Sequence, residues 1–235
     1  ATYATTALTN GQVVTCVLTS NANCASPATA TSNGITMTVT ACSVSLNLKA
    51  YLEGYYISGG LMNKTLYFEG VDPNPVSTLV DTITVLLRNP TAPYTVAGTY
   101  KGIIQTNGTI TCTFPPSLLG NSYYIVVTHR NTLTTWSANP VLMSASTIYD
   151  FTTAASKAYG NNQVQVGPSI WAMYTGDVVS DENVDLLDIG TIQNDIVLFG
   201  FGYLATDING DGNVDLLDQP LVENNVSNFI FSDHP

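Results

Sequence analysis

The chain has 235 residues, of which only 10% are charged, and 17 acidic side chains against six basic ones give a formal net charge of −11. That length suffices for one sandwich-sized domain plus a small module, each with its own core. Nucleic acid is excluded as a natural partner because little basic surface is available to displace counterions from phosphate, and no run of 18 apolar residues occurs that could form a membrane-spanning helix. The acids are gathered at one end: from Ser169 onward there are 12 acids and no Lys or Arg, whereas residues 1–168 hold five acids and six bases. An excess of that kind is a demand for cations. The sequence opens at Ala1 without Met or signal peptide, which we read as a processed or excised segment of a secreted precursor.

Residues 1–34 are rich in Ala, Thr, Ser and Asn, with short apolar alternation around Val13, Val14 and Val17, and read as an extended arm or an edge hairpin. From Ile35 a period-two pattern begins, with Ile35, Met37 and Val39 on one side and Thr36, Thr38 and Thr40 on the other, followed by Val44, Leu46 and Leu48. Further strand candidates are 51–57, 65–69, 82–88, 94–104, 109–114, 123–130 and 147–151. Turn signals separate them, among them Gly59-Gly60, Asn89-Pro90, Pro115-Pro116 and the type I′ hairpin signal Asn107-Gly108. Helical periodicity is absent before residue 185, so residues 35–168 are expected to form an antiparallel β-sandwich. Four cysteines, Cys16, Cys24, Cys42 and Cys112, lack any C-x-x-C spacing or flanking His and are expected as two disulfides of an oxidising compartment. Three connectivities are open; Cys16 with Cys24 and Cys42 with Cys112 is the pairing we expect.

Catalytic chemistry finds little to work with. Only His129 and His234 could serve as a general base, and His129-Arg130 reads as a structural pair that ties a strand to a neighbouring loop. Glu53 and Glu69 are the only Glu pair in the sandwich, and no motif surrounds them. Tyr51, Tyr55, Tyr56, Tyr67, Tyr123 and Tyr124 could stack on sugars or sit half-buried in the sheet. The sequons Asn63-Lys-Thr and Asn107-Gly-Thr mark exposed turns.

The strongest motif lies in the last third. Asp207, Asn209, Asp211, Asp215 and Asp218 occupy positions 1, 3, 5, 9 and 12 of a twelve-residue calcium loop, with the carbonyl of Asn213 at position 7 and Gly212 at the sharp turn. A hard divalent cation that takes six to eight oxygens explains why so many acids share one loop. Thirty residues upstream the pattern recurs in Asp177, Asp181, Asn183, Asp185 and Asp188, and the ending Asn-Val-Asp-Leu-Leu-Asp is repeated letter for letter. Behind each loop, Ile192, Ile196 and Phe199 match Val222, Val226 and Phe229 at helical spacing. The first loop has Val179 where position 3 needs an oxygen and Glu182 where Gly is expected, so it is expected to be the weaker of two Ca2+ sites.

A duplicated loop–helix unit closed by Asp, with no helix ahead of the first loop, resembles the dockerin family over residues 170–235. Dockerins are small folds stabilised by calcium that bind cohesin modules, commonly through a polar or hydroxylated pair at loop positions 10 and 11. Here Leu186-Leu187 and Leu216-Leu217 hold those positions, as core or as a dry interface. The order of the stretches Leu46–Tyr56, Asp81–Arg88 and Tyr123–Ser137 is similar to a β-module near the C-terminal end of Bacteroidetes-type secreted and surface proteins, where a dockerin-like calcium segment follows directly. That resemblance implies location rather than reaction.

Together these features lead to a mainly β protein: an arm (1–34), an antiparallel β-sandwich (35–168) and a small α-helical dockerin-like module (169–235). Its expected role is that of a non-enzymatic extracellular calcium-binding module of the cell surface, assembling with other copies of itself or with a neighbouring surface protein into a surface structure or filament. The alternatives are a dockerin-type anchor for a carbohydrate-active secreted protein and a carbohydrate-binding module with glycans as partners. The arm could add a strand to the sheet edge of a neighbouring subunit.

Overall fold

A computed structural model of the chain describes residues 8–39 and 43–235. The chain is mainly β, and its contacts divide it into two compact units, Ala1–Cys42 and Ser43–Pro235. In the first, Val13–Val14 (β1) pairs with Ile35–Thr36 (β4), and Val17–Thr19 (β2) pairs with Thr29–Thr31 (β3), both antiparallel. None of its described residues is buried. The apolar residues of these two- and three-residue strands, Val13, Val17, Leu18 and Ile35, are too few to build a core and stay exposed.

The second unit is a sandwich followed by the acid-rich tail. One sheet has the order β10–β5–β14, from Val44–Lys49 (β5), Thr109–Phe114 (β10) and Ser146–Asp150 (β14). The other contains Leu79–Arg88 (β8), Val96–Gln105 (β9) and Ser122–Thr128 (β11), in the order β11–β8–β9, with the short strands Thr135–Trp136 (β12) and Val141–Leu142 (β13) both paired to β11. Alternating residues of these strands interdigitate between the sheets: Leu46 and Leu48, Ile83 and Val85, and Ile125 and Val127 are all buried. The opposite positions, such as Ser45, Asn47, Thr109 and Thr111, face outward. At the turn between β9 and β10, Gly108 adopts φ +81 and a Cβ there would lie 2.5 Å from the Ala50 carbonyl, so the position requires Gly on two counts.

Several expectations need correction. Residues 65–69, read as a strand, form the short helix Thr65–Phe68 (α1), because the alternation there is too brief to override helical pairing onto β8. The stretch 51–57 is a strand only at its end: a 3-10 turn over Glu53–Tyr55 leads into the small hairpin of Tyr56–Ser58 (β6) and Leu61–Met62 (β7). The sheet is not wholly antiparallel, since β14 runs parallel to β5. Cys16 and Cys24 are free thiols, so the Cys16–Cys24 bridge is not formed, and Cys112 has no disulfide partner among the described residues. Cys42, and with it the expected Cys42–Cys112 pairing, lies outside the described residues. Burial pushes the Cys112 thiol up to about 12.

Candidate functional site

After a last hairpin, Val164–Gly167 (β15) with Ile170–Ala172 (β16), the chain enters two loop–helix units. Helix Leu186–Val197 (α2) follows the first acidic loop and Gln219–Ser227 (α3) the second. Asp185 starts α2 with a capping box in which its side chain accepts from the helix and Asp188 accepts from the Asp185 N–H. Pro220 near the start of α3 sets its entry, since the first turn needs no N–H from that residue.

The duplication extends to individual hydrogen bonds. In the second loop, Asp207 Oδ1 accepts from the N–H groups of Gly210 and Asp211 at 2.8 and 3.2 Å, and Oδ2 from Gly212 at 2.8 Å. In the first, Asp177 accepts from Asp181 at 3.0 Å and Glu182 at 3.2 Å. The closing residues match as well: Asp218 accepts from Ile208, Asn209 and Asp215, and Asp188 from Val178, Val179 and Asp185. Each loop is also paired with the segment behind the opposite helix, Val184 donating to Ile230 and Val214 to Gly200. The weaker match of the first loop has a backbone counterpart. Ser180 and Glu182 take φ +57 and +70, where the second loop has Gly210 and Gly212 at +69 and +91.

The four carboxylates at positions 1 and 12, Asp177, Asp188, Asp207 and Asp218, are all buried. Burial raises the pKa of each, to about 6 for Asp177 and Asp218, with neighbouring aspartate charges adding to the rise. Asp211 is half-buried, while Asp181, Asn183, Asn213 and Asp215 are exposed, and Asn209 and Asp185 are half-buried. Among the described residues, no three His, Cys, Asp or Glu side chains converge on a point that could hold a metal. The buried carboxylates turn toward their own loop N–H groups instead. The donor chemistry still fits a hard cation: every candidate ligand is an oxygen, residues 169–235 hold no Lys or Arg, and the one nearby cation from the sandwich is Arg130, whose charge lowers Asp207 less than burial raises it.

The tail is built around a loop of the sandwich. Leu133, in the connection from β11 to β12, is buried in one cluster with Val184, Ile192, Ile208 and Val222. Asn131 donates to the Asp207 carbonyl at 3.0 Å and Asn63 to the Asn209 carbonyl at 2.8 Å. Glu53 is buried, and its Oε2 accepts from Thr175 N at 2.9 Å and from Asn225 Nδ2 of α3 at 2.8 Å. Arg130 donates to Asp81 at 2.7 Å, to Glu69 and to the Leu204 carbonyl, and its guanidinium lies 4.3 Å from the Tyr203 ring centroid. Asp81 is also 3.0 Å from His129 Nε2 and accepts from the Tyr203 hydroxyl at 2.7 Å. Burial alone would raise Asp81, but the bonds and charges of His129 and Arg130 outweigh it and hold the carboxyl well below the usual range. Burial carries Glu69 the other way, up to about 8, against the pull of Arg130. His129-Arg130 thus joins β8 to the loop ahead of Asp207.

Sequence reasoning missed Asn63, Glu53, Asn131 and Leu133 as supports of the loops. Their signal is weak, because a lone Asn or Leu in a connection has no periodicity to mark it. The Leu pairs at loop positions 10 and 11 are solvent-facing rather than core: Leu186 and Leu216 are 74% and 70% exposed. Ile192, Ile196, Val222 and Val226 pack in the tail core as the helical spacing requires. Phe199 and Phe229 do not, since both helices end before them and both residues take positive φ in the open. Of the six tyrosines considered for sugar stacking, Tyr51, Tyr55, Tyr123 and Tyr124 are buried.

Fold and site define a mainly β protein that carries a duplicated acidic loop–helix unit. No protein-family model matches the chain, and no curated protein matches it. Two solved structures are similar, both interface mutants of the type II cohesin–X–dockerin complex from Acetivibrio cellulolyticus. The C-terminal interface mutant has 16% identity and a TM-score of 0.46, and the N-terminal one 17% and 0.45. Each alignment covers 78% of this chain and 95% of the other.

Proposed function

We propose that this chain is a non-enzymatic, extracellular structural module of the cell surface whose tail binds two calcium ions and which assembles with further copies of itself. The observation that carries this reading is the set of four buried carboxylates, Asp177, Asp188, Asp207 and Asp218, in a segment with no basic residue. Calcium would be held in the second loop by Asp207, Asn209, Asp211, the Asn213 carbonyl, Asp215 through water, and Asp218. In the first it would be held by Asp177, Asp181, the Asn183 carbonyl, Asp185 and Asp188, with water in place of the oxygen that Val179 lacks. The ion supplies positive charge that offsets the repulsion among these groups. Because His129 is hydrogen-bonded to Asp81 and Thr132 with its side chain 1% exposed, its place in this account is structural.

Electron microscopy of the purified protein with calcium and after chelation tests assembly and cation dependence together. Ordered filaments or sheets that loosen on chelation are expected, and dispersed monomers in both conditions would remove the assembly reading.

A second reading, a dockerin-like anchor that docks onto a protein scaffold, is favoured by the exposed pairs Leu186-Leu187 and Leu216-Leu217. Capture by a cohesin-like module, lost when both pairs are replaced by Ser, would select it over self-assembly.

A further inference from the structure

The N-terminal unit has two properties that rarely coexist in a segment left on its own. It has no buried residue among those described, and it has no charge, since Lys49 is the first charged residue of the chain. Ile35 is 67% exposed and Val39 45%. Residues 35–39 use one edge against residues 10–14, through β1–β4 and the bonds Gly11 N to Met37 O and Met37 N to Gln12 O. The other edge is unpaired among the described residues. Charged side chains, Lys above all, are the usual guard on an exposed strand edge. Here there are none.

The sandwich has a matching opening. β9 and β10 are joined by a tight turn yet belong to different sheets, so each leaves an edge free on the same side. Between them lies a cleft of about 250 Å³ lined by Tyr100, Ile103, Gln105, Thr109, Ile110 and Thr111. The two edges are not equivalent. β9 carries the exposed Lys101 at mid-strand, whereas β10 reads Thr-Ile-Thr-Cys-Thr-Phe with no charge and no Pro. Thr109, Thr111 and Thr113 face outward and Ile110, Cys112 and Phe114 inward.

We propose that residues 35–39 of a second copy pair with the free edge of β10. The alternation fits in both directions: Ile35, Met37 and Val39 face the cleft against Tyr100 and Ile110, and Thr36 and Thr38 extend the threonine face of Thr109, Thr111 and Thr113. Cross-strand Thr pairs and backbone hydrogen bonds then satisfy groups that both partners leave open. This names the contact of the assembly proposed above and rests on that reading.

The test compares the 235-residue chain with its Ile35→Lys/Val39→Lys variant, in calcium, by sedimentation and by amide hydrogen exchange. Both positions are exposed, so the variant keeps the unfolding transition of the second unit. The wild-type chain is expected to assemble, with exchange at 109–114 slowed at least tenfold on assembly, while the double variant stays monomeric. An Ile35→Val/Val39→Ile control is expected to assemble as the wild type does. Assembly of the Lys variant at wild-type concentrations, or assembly with unchanged exchange at 109–114, would overturn the contact and leave the assembly reading standing. A wild-type chain that stays monomeric would overturn both, and calcium titration reads the loops independently of either.

Discussion

The side-chain amide of Asn131 donates to the backbone carbonyl of Asp207 at 3.0 Å, so the first residue of the second acidic loop is held by a loop of the sandwich. Asn131 is itself buried, and its neighbour Leu133 sits in the core of the tail. The two halves of residues 43–235 therefore share supports, and damage to the 129–134 connection is felt by the acidic loops. Asn131→Ala is expected to cost about 1–3 kcal/mol, because the buried Asp207 carbonyl loses its donor. Leu133→Ala is expected to cost about 2–5 kcal/mol through the cavity it leaves. Denaturant unfolding monitored separately in tail and sandwich checks both: a loss confined to the sandwich would show that the supports are not shared.

The two loops differ in ligand count, which ranks their aspartates. With calcium present, Asp207→Ala or Asp218→Ala is expected to lower stability more than Asp177→Ala, because Val179 offers no oxygen to the first loop. Thermal unfolding of the three variants in calcium is the check, and equal losses would mean the ranking is wrong.

Backbone strain gives a gain rather than a loss. Glu182 is exposed at φ +70, in the position that Gly212 fills in the second loop. Its contact with His234, at 3.6 Å and open to solvent, contributes little. Glu182→Gly is therefore expected to stabilise the chain by about 0.5–1 kcal/mol, the left-handed cost of a side chain exceeding the entropy of Gly in the unfolded state. Thermal unfolding in calcium reads the sign directly.

Burial raises Asp177 and Asp218 from an ordinary value of 3.8 to about 6, so the folded chain binds their protons more tightly than the unfolded one. Without calcium, stability is expected to be greatest below about pH 4 as far as these groups are concerned, and to fall as pH rises through 4 to 6. Calcium competes with those protons, so the stabilisation it brings is expected to be small at pH 4.5 and large at pH 7. Melting curves at the two pH values, with calcium and with chelator, test this; a calcium effect independent of pH would contradict it.

The strands were legible where alternation ran long. The pattern 109–114 coincides with β10, and 82–88, 94–104, 123–130 and 147–151 fall on β8, β9, β11 and β14. Short runs misled, as at Thr65–Phe68, where four residues of either period look alike and packing decides. The duplicated loops were readable because spacing survives without tertiary context, and their hydrogen bonds repeat position by position. What brings the sandwich to the loops was not readable: Asn63, Glu53 and Asn131 act through one or two side-chain bonds across more than 70 residues of chain. Phe199 and Phe229 followed the helical period in sequence but fall just beyond the helix ends, a boundary that periodicity does not place.

The most direct test is calorimetry of the 235-residue chain with calcium and after chelation. If the tail is a calcium-stabilised structure sharing its supports with the sandwich, a hundredfold excess of calcium over Kd adds about 2.7 kcal/mol from the stronger, second-loop site alone. The transition of residues 43–235 then moves up by roughly 5–10 °C. A transition that lies at the same temperature in both conditions would contradict the claim that these carboxylates hold calcium.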